Sequence, residues 1–324
     1  MEAVVKAQSL TKQYGNILAV DHIDLEVFEG EIFGLLGPNG AGKTSTIRML
    51  TGQTTPTSGT VTVANCDIIH EATKAKQKIG VIPDISNLYD EMSAWDNLIF
   101  SAHLYSVPKI EREKKTNELL QLFGLYERRK DRVAGFSRGM KRRLTIAAAL
   151  IHKPKVLFLD EPTTGLDVQS LRMIRNLIKE LNNDGVTIFL TTHYIEEADQ
   201  LCQRVAIINK GKIVTVDTPE KLKASMEERQ VIEISFTLSQ GLEDKLKGLS
   251  CVNDVSMLGD KCRLQVDNAT EAVPSLVDFA RKNSLKIISI NTLKPSLEDA
   301  FVKLTGLSQE IMKTEKEAVK KKEE

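Results

Sequence analysis

The sequence predicts an α/β fold whose core is a mainly parallel β-sheet. Short apolar runs alternate with helical patterns up to about residue 220, and several of the runs are almost entirely apolar. Such runs are typical of strands buried on both faces of a parallel sheet. They lie at residues 31–36, 155–159, 186–190 and 204–208. Residues 169–181 have helical periodicity between two of these runs, which completes a β–α–β unit.

Two further groups of elements precede residue 220. Apolar and polar residues alternate at 4–8, 23–27 and 60–63, which predicts strands of an antiparallel β subdomain. The segment from about residue 84 to residue 150 is mostly helical in pattern. Its expected helices lie at residues 94–105, 111–123 and 138–151. We interpret this segment as a helical subdomain inserted into the α/β core.

After Pro219 the pattern changes to that of a small α+β domain. Its clearest strands and helices are expected at residues 230–236, 242–249, 261–266, 271–282 and 284–290. The last residues are dense in Lys and Glu and poor in apolar side chains. The expected organisation is a core domain over residues 1–224, an accessory α+β domain over residues 225–306, and a charged tail over residues 307–324.

Composition limits the function classes. The 324 residues suffice for two domains, and 44 basic and 44 acidic side chains cancel, so no net charge draws the chain to nucleic acid. The four cysteines are scattered, with no C-x-x-C pair, which indicates free thiols rather than a metal site. No apolar run is long enough to cross a membrane, and the N-terminus lacks a signal pattern. We therefore expect a cytoplasmic chain whose membrane role depends on a partner.

The most informative motif follows the first buried strand. Residues 37–44 read G-x-x-x-x-G-K-T, the phosphate-binding loop of nucleoside triphosphate-binding proteins. Lys43 is expected to reach the β- and γ-phosphates, and the Thr44 hydroxyl to ligate Mg²⁺. An ordinary glycine turn is the alternative, but a strand before the loop and a helix after it favour phosphate binding. The residues expected to cradle the phosphates are Gly37, Pro38, Asn39, Gly40, Ala41, Gly42, Lys43, Thr44 and Ser45.

A second apolar strand ends in two acids. Asp160 lies where its carboxylate could hold Mg²⁺, and Glu161 follows it on the other face. A carboxylate at Glu161 could orient or deprotonate the attacking water. Solvated acids at a strand end are the alternative, which the preceding phosphate loop disfavours.

Four more segments carry a resemblance to a known family. Residues 136–144 read F-S-R-G-M-K-R-R-L, and residues 160–167 read D-E-P-T-T-G-L-D. His193 follows the next strand in T-T-H-Y-I-E-E-A, and Tyr14 stands in L-T-K-Q-Y-G. In this order, with the phosphate loop, the segments resemble those of ATP-binding cassette (ABC) ATPases.

The resemblance implies a role for each residue. Tyr14 would stack on adenine, and His193 would hydrogen-bond the γ-phosphate and the attacking water. Ser137 and Gly139 would face the γ-phosphate bound to a second copy of the chain, with Asp167 in the neighbouring D-loop. A complete site would therefore need a head-to-tail dimer with ATP and Mg²⁺ between the copies.

Two positions depart from the family pattern. The signature segment usually reads Ser-Gly-Gly-Gln, whereas this chain has Ser137-Arg138-Gly139-Met140. Gly139, which lets the backbone approach phosphate, is kept, and Arg138 could point outward. The Q-loop usually carries Gln where this chain has Asp84. A glutamine side chain can donate and accept hydrogen bonds, whereas an aspartate only accepts them, so Asp84 is expected to contact the metal through its carboxylate oxygens and to donate no hydrogen bond. These departures leave open a cassette that binds ATP without turnover.

The final segment narrows the resemblance to a branch. Residues 293–306 resemble the closing segment of drug-resistance-type ABC ATPases, in which a separate polytopic permease spans the membrane. We expect an exporter subunit, peripheral on the inner face of the cell membrane, that docks through residues 84–100, with Trp95 and Leu98 as candidates. The alternative is a soluble ABC ATPase acting on nucleic acid or ribosomes. The basic stretch around Lys141, Arg142 and Arg143 is interpreted as a solvated helix face, and no nucleic-acid partner is expected.

Overall fold

The computed structural model describes residues 2–225, 230–237, 241–259, 261–293 and 295–306. The chain divides into two compact units, of which the first ends at Thr218 and the second begins at Pro219. The charged tail expected over residues 307–324 lies outside the described residues.

The first unit contains ten strands and seven α-helices among its described residues. Its strands are β1 (Ala3–Tyr14), β2 (Ile17–Phe28), β3 (Ile32–Leu36), β4 (Ser58–Val63), β5 (Cys66–Asp67), β6 (Ile79–Ile82), β7 (Val156–Asp160), β8 (Thr187–Thr192), β9 (Arg204–Asn209) and β10 (Lys212–Asp217). Its helices are α1 (Lys43–Leu50), α2 (Ala72–Lys76), α3 (Ala94–Leu104), α4 (Lys109–Leu122), α5 (Arg138–Leu150), α6 (Val168–Asn183) and α7 (Ile195–Leu201).

The strands form two sheets. The larger sheet has the order β10-β9-β3-β8-β7-β6, with β10 antiparallel at one edge and the other pairs parallel. The smaller sheet has the order β2-β1-β4-β5, and its pairs are antiparallel. The predicted α/β class is confirmed, as are the helices expected between residues 84 and 150.

Three phenylalanines fix the register at the centre of the larger sheet. Phe33 of β3 pairs with Phe189 of β8, and Phe158 of β7 pairs with the same residue. The ring centroids lie 5.8 Å apart for Phe33–Phe189 and 5.6 Å apart for Phe158–Phe189. All three side chains are fully buried, and a slip of one strand by one residue would turn its ring to the other face of the sheet and separate it from the other two rings.

The second unit contains an antiparallel sheet against which two of its helices pack. Its elements are α8 (Pro219–Ala224), β11 (Gln230–Phe236), α9 (Glu243–Lys247), β12 (Asp254–Leu258), β13 (Lys261–Val266), α10 (Ala269–Lys282), β14 (Ile287–Leu293) and α11 (Leu297–Thr305). The strand order is β12-β13-β11-β14, and α9 and α10 are the two helices that pack against this sheet. Ile232 and Ile234 of β11 lie in one buried cluster with Leu276 and Phe279 of α10.

Two differences from the prediction lie near the end of this unit. The last strand begins at Ile287 rather than residue 284, because Ser284 has φ +55° and the Leu285 N–H closes the end of α10 on the Ala280 carbonyl at 2.9 Å. The helix α11 was not predicted, although Ser296 and Asp299 form a capping box at its start.

Gly80 of β6 offers a test of how tightly the larger sheet packs. A Cβ atom there would lie 2.6 Å from the Ala149 carbonyl oxygen and 2.8 Å from Leu157 Cδ1. We expect Gly80→Ala to lower the free energy of unfolding by about 1–3 kcal/mol, as overpacking does. Gly135 has nothing within 4 Å of its Cβ position, so Gly135→Ala is the control. Urea denaturation measures both, and equal effects would contradict this packing.

Candidate active site

The phosphate loop joins β3 to α1, and glycine is required at two of its positions. A Cβ atom on Gly37 would clash with the Ile208 carbonyl oxygen and lie 2.8 Å from Ile208 Cγ2. Gly42 has φ +104°, and a Cβ atom there would lie 2.5 Å from the Ala19 carbonyl oxygen. The Gly37 N–H donates to the Thr192 carbonyl at 3.2 Å, which fastens the loop to the end of β8.

The start of α1 presents backbone donors. No side chain caps the helix at Gly42, and the Thr46 N–H donates to the Gly42 carbonyl at 2.9 Å. The N–H groups of Thr44 and Ser45 therefore have no acceptor within the helix. Together with the helix dipole, they form a site suited to phosphate oxygens.

Lys43 lies folded into the loop. Its side chain is 5% exposed, and Nζ donates to the carbonyls of Gly37 at 2.9 Å and Pro38 at 3.0 Å. Nζ also lies 3.4 Å from Oε1 of Glu161. The sequence-predicted base and the sequence-predicted phosphate ligand are thus brought together.

The two acids sit at the end of β7. Asp160 is buried, and its Oδ1 accepts a hydrogen bond of 2.5 Å from the Thr191 hydroxyl. Glu161 has φ +46°, a left-handed conformation that is costly for a residue followed by proline. Its N–H lies 3.1 Å from both the carbonyl and the hydroxyl oxygen of Thr191, which hold the backbone in place.

The Glu161 carboxylate has polar neighbours on both of its oxygens. Its Oε2 accepts from the Thr164 hydroxyl at 3.1 Å and lies 3.0 Å from Nδ1 of His193. Burial acts to raise the pKa of Glu161, but His193, the Lys43 charge and Thr164 together lower it from 4.5 to about 2. The carboxylate is therefore ionised at neutral pH, the state in which it can accept a proton from water.

His193 follows β8 directly. Its ring centroid lies 4.1 Å from that of Tyr194, and its side chain is one-fifth exposed, at 20%. The strand order places β8 between β3 and β7, so His193, Glu161 and the phosphate loop lie at the same edge of the sheet.

The predicted partner-facing residues lie at two helix starts. Ser137 is exposed and caps α5, accepting from the Met140 N–H at 3.3 Å. Asp167 caps α6, accepting from the N–H of Ser170 at 2.9 Å and from its hydroxyl at 2.7 Å. Gly139 packs against this second cap, because a Cβ atom there would lie 2.9 Å from Ser170 Cβ.

Tyr14 and Asp84 lie at the ends of two other strands. Tyr14 is 44% exposed at the end of β1, and Nζ of Lys12 lies 5.1 Å from its ring centroid. Asp84 follows β6, the neighbour of β7. Burial and the nearby charge of Glu161 raise the pKa of Asp84.

The interpretation of Arg142 as part of a solvated helix face is wrong. Its side chain is 7% exposed and donates to the carbonyls of Pro83 at 2.6 Å, Asp84 at 3.3 Å and Glu161 at 3.0 Å. Helical periodicity could have found it, because Arg142 shares the buried face of α5 with Thr145 and Ala149. Arg138, in contrast, is exposed as expected.

Comparison with known proteins decides the family. A family model described as ABC transporter matches residues 20–164, and one described as ATP-binding protein DrrA1-3-like, C-terminal domain, matches residues 218–305. The linearmycin resistance ATP-binding protein LnrL of Bacillus subtilis (strain 168) is 38% identical over 306 residues, which cover 94% of this chain and 98% of that protein. The chain belongs to the ABC transporter ATP-binding proteins.

Two further matches agree with this assignment. The daunorubicin/doxorubicin resistance ATP-binding protein DrrA of Streptomyces peucetius is 32% identical over 322 residues, covering 98% of this chain and 97% of that protein. A dimeric ATP-binding cassette in a post-hydrolysis state, bound to ADP and phosphate, is 28% identical with a TM-score of 0.60, covering 66% of this chain and 98% of that one. As an ABC ATPase, the chain binds and hydrolyses ATP, and the resemblance inferred from its motifs is confirmed.

The lowered pKa of Glu161 has a consequence for stability. A carboxylate whose pKa falls from 4.5 to about 2 on folding stabilises the fold above pH 4.5 and loses that contribution as the pH falls towards 2. We expect the free energy of unfolding of the wild type to exceed that of Glu161→Gln at neutral pH. This difference should shrink as the pH falls from 4.5 towards 2.

Urea denaturation at several pH values measures this difference. Glu29→Gln, at an exposed turn position, is the control. A difference between wild type and Glu161→Gln that stayed constant on acidification would contradict the assigned environment of the carboxylate.

Proposed function

We propose that this ABC ATPase powers an exporter, with Glu161 as the residue that activates water. The observation that carries the proposal is the position of the Glu161 carboxylate, held between Lys43 and His193 beside the phosphate loop. Relatives named for linearmycin resistance, daunorubicin/doxorubicin resistance and Nod factor export support export as the direction of transport.

The proposed binding step begins at the phosphate loop. The backbone donors of residues 37–45 would receive the phosphates, and Lys43 would exchange its bonds to the Gly37 and Pro38 carbonyls for phosphate oxygens. The exposed ring of Tyr14 would stack on adenine.

The side chains proposed to bind Mg²⁺ offer oxygen atoms as ligands, which this cation prefers. The Thr44 hydroxyl and the Asp160 carboxylate would hold the ion, with Asp84 as a further acceptor. The ion would offset phosphate charge during hydrolysis. Among the residues that the structure describes, no three acidic, His or Cys side chains form a metal site on their own, so phosphate and water would supply the remaining ligands.

For hydrolysis, Glu161 would accept a proton from the attacking water while His193 hydrogen-bonds the γ-phosphate. The start of α5, with Ser137 and Gly139, would close the site from a second copy of the chain, and Asp167 would lie beside it. Ser137 is exposed, which leaves its hydroxyl accessible to such a partner. A head-to-tail dimer would then contain two composite sites and part after hydrolysis.

A polytopic permease is the proposed membrane partner. In the described part of the chain no helix is long and apolar enough to cross a membrane. A groove of about 490 Å³ is lined by Gln53, Lys76, Val81, Pro83, Leu104 and Tyr105, among others. We propose that a segment of the permease, on the cytoplasmic side of the membrane, occupies this groove. Leu98, in contrast, is fully buried in the fold, and neither it nor Trp95 lines the groove.

The role of Glu161 has a direct kinetic test. Glu161→Gln removes the proton acceptor but keeps the shape, so we expect hydrolysis to slow by about 10² to 10⁴, the usual contribution of a positioned base. ATP binding should persist, and size-exclusion chromatography should show an ATP-dependent dimer. Lys43→Ala should instead weaken nucleotide binding itself. Unchanged turnover in Glu161→Gln would remove this residue from the mechanism.

The docking groove can be tested apart from catalysis. Leu104 is 67% exposed and lines the groove, whereas Ile110 is 91% exposed and does not. We expect Leu104→Asp to lower co-purification with the permease from mild detergent, because a charge would enter an apolar contact. Ile110→Asp should leave co-purification unchanged, and equal losses would argue against this groove.

A further inference from the structure

One buried cation connects three segments around the site. Arg142 projects from α5, and its guanidinium donates to the carbonyls of Pro83, Asp84 and Glu161. The first two carbonyls follow β6, and the third follows β7, so a single side chain joins two strand ends to a helix of the helical subdomain.

The guanidinium suits this task better than another cation would. It is planar and presents several N–H donors in a fixed fork, so it can reach separate acceptors at once. With 7% of its surface exposed, Arg142 lies where hydrogen bonds to a charged donor are strong. Burial lowers the pKa of Arg142, while the charges of Asp84 and Asp160 oppose that shift.

The bond to Glu161 acts on a strained residue. Glu161 has φ +46° and precedes a proline, and such a conformation persists only where its surroundings enforce it. Thr191 holds the Glu161 N–H, and Arg142 holds the Glu161 carbonyl. Without Arg142, Glu161 would keep its bonds to Thr191 but lose the restraint on its carbonyl, which would allow the strained backbone to shift and move the carboxylate.

We propose that Arg142 is a positioning residue that fixes the backbone of Glu161 and ties it to the groove wall at Pro83. Pro83 lines the groove and accepts the shortest of the three hydrogen bonds, at 2.6 Å. One side chain therefore contacts both a residue of the groove wall and the backbone of Glu161. The proposal rests on the proposed role of Glu161 in hydrolysis.

The test compares Arg142→Lys and Arg142→Met in the full chain. Lysine keeps the charge but loses the fork, and methionine keeps much of the apolar stem without any donor. We expect kcat for ATP hydrolysis to fall about 10- to 100-fold in Arg142→Met, because small misplacements of a reacting group have effects of this size. Arg142→Lys should fall between Arg142→Met and the wild type. The Kd for ATP should stay within about twofold, since the phosphate loop is untouched.

Arg143→Met is the matched control on the same helix, because Arg143 also donates to a carbonyl, that of Phe123 at 2.7 Å, but away from the site. Thermal unfolding of each variant shows whether it is folded. If Arg142→Met does not fold, the kcat of Arg142→Lys tests the proposal. The proposal is overturned if folded Arg142→Lys and Arg142→Met hydrolyse ATP like the wild type, or if Kd rises as much as kcat falls. If Glu161→Gln also kept full activity, the proposed role of Glu161 would fail instead.

Discussion

β8 pairs with β3 on one side and with β7 on the other, and this pairing sets the geometry of the candidate site. Its register sets Leu36 beside Thr192 and Asp160 beside Thr191. Because parallel strands end at the same edge of a sheet, the phosphate loop, the two acids and His193 emerge together. The buried phenylalanines of these three strands enforce this register. The aromatic core thus helps to determine where the residues of the candidate site lie.

Two threonines at the end of β8 bind the neighbouring segments by hydrogen bonds and hold them in position. Thr192 accepts the first N–H of the phosphate loop, and Thr191 binds both Asp160 and the backbone of Glu161. The carboxylate of Glu161 then lies between a buried ammonium group and an imidazole, which keeps it ionised despite its burial. Arg142 completes the arrangement from the helical subdomain.

The sequence predicts the parts of this site better than their assembly. Apolar runs that end in Gly37, Asp160 and His193 predict strand ends with functional residues, because a parallel sheet collects such ends at one edge. The register and the contact of Lys43 with Glu161 depend on tertiary packing, which periodicity does not encode. The prediction of a solvated Arg142 is wrong because it assumes that a charged side chain stays in water. In the structure, three backbone carbonyls accept hydrogen bonds from the guanidinium and offset the cost of its burial. The predicted start of β14 at residue 284 is wrong because residues 284 and 285 belong to the turn that ends α10.

We propose that ATP is held by the phosphate loop of one copy and that the Ser137 helix of a second copy closes the site. A structure of the full chain with a non-hydrolysable ATP analogue and Mg²⁺ would test this arrangement. We expect phosphate oxygens on the backbone donors of residues 43–45, with Ser137 of the second copy at hydrogen-bond distance from the γ-phosphate. An empty loop, or an analogue enclosed by residues of a single copy alone, would contradict it.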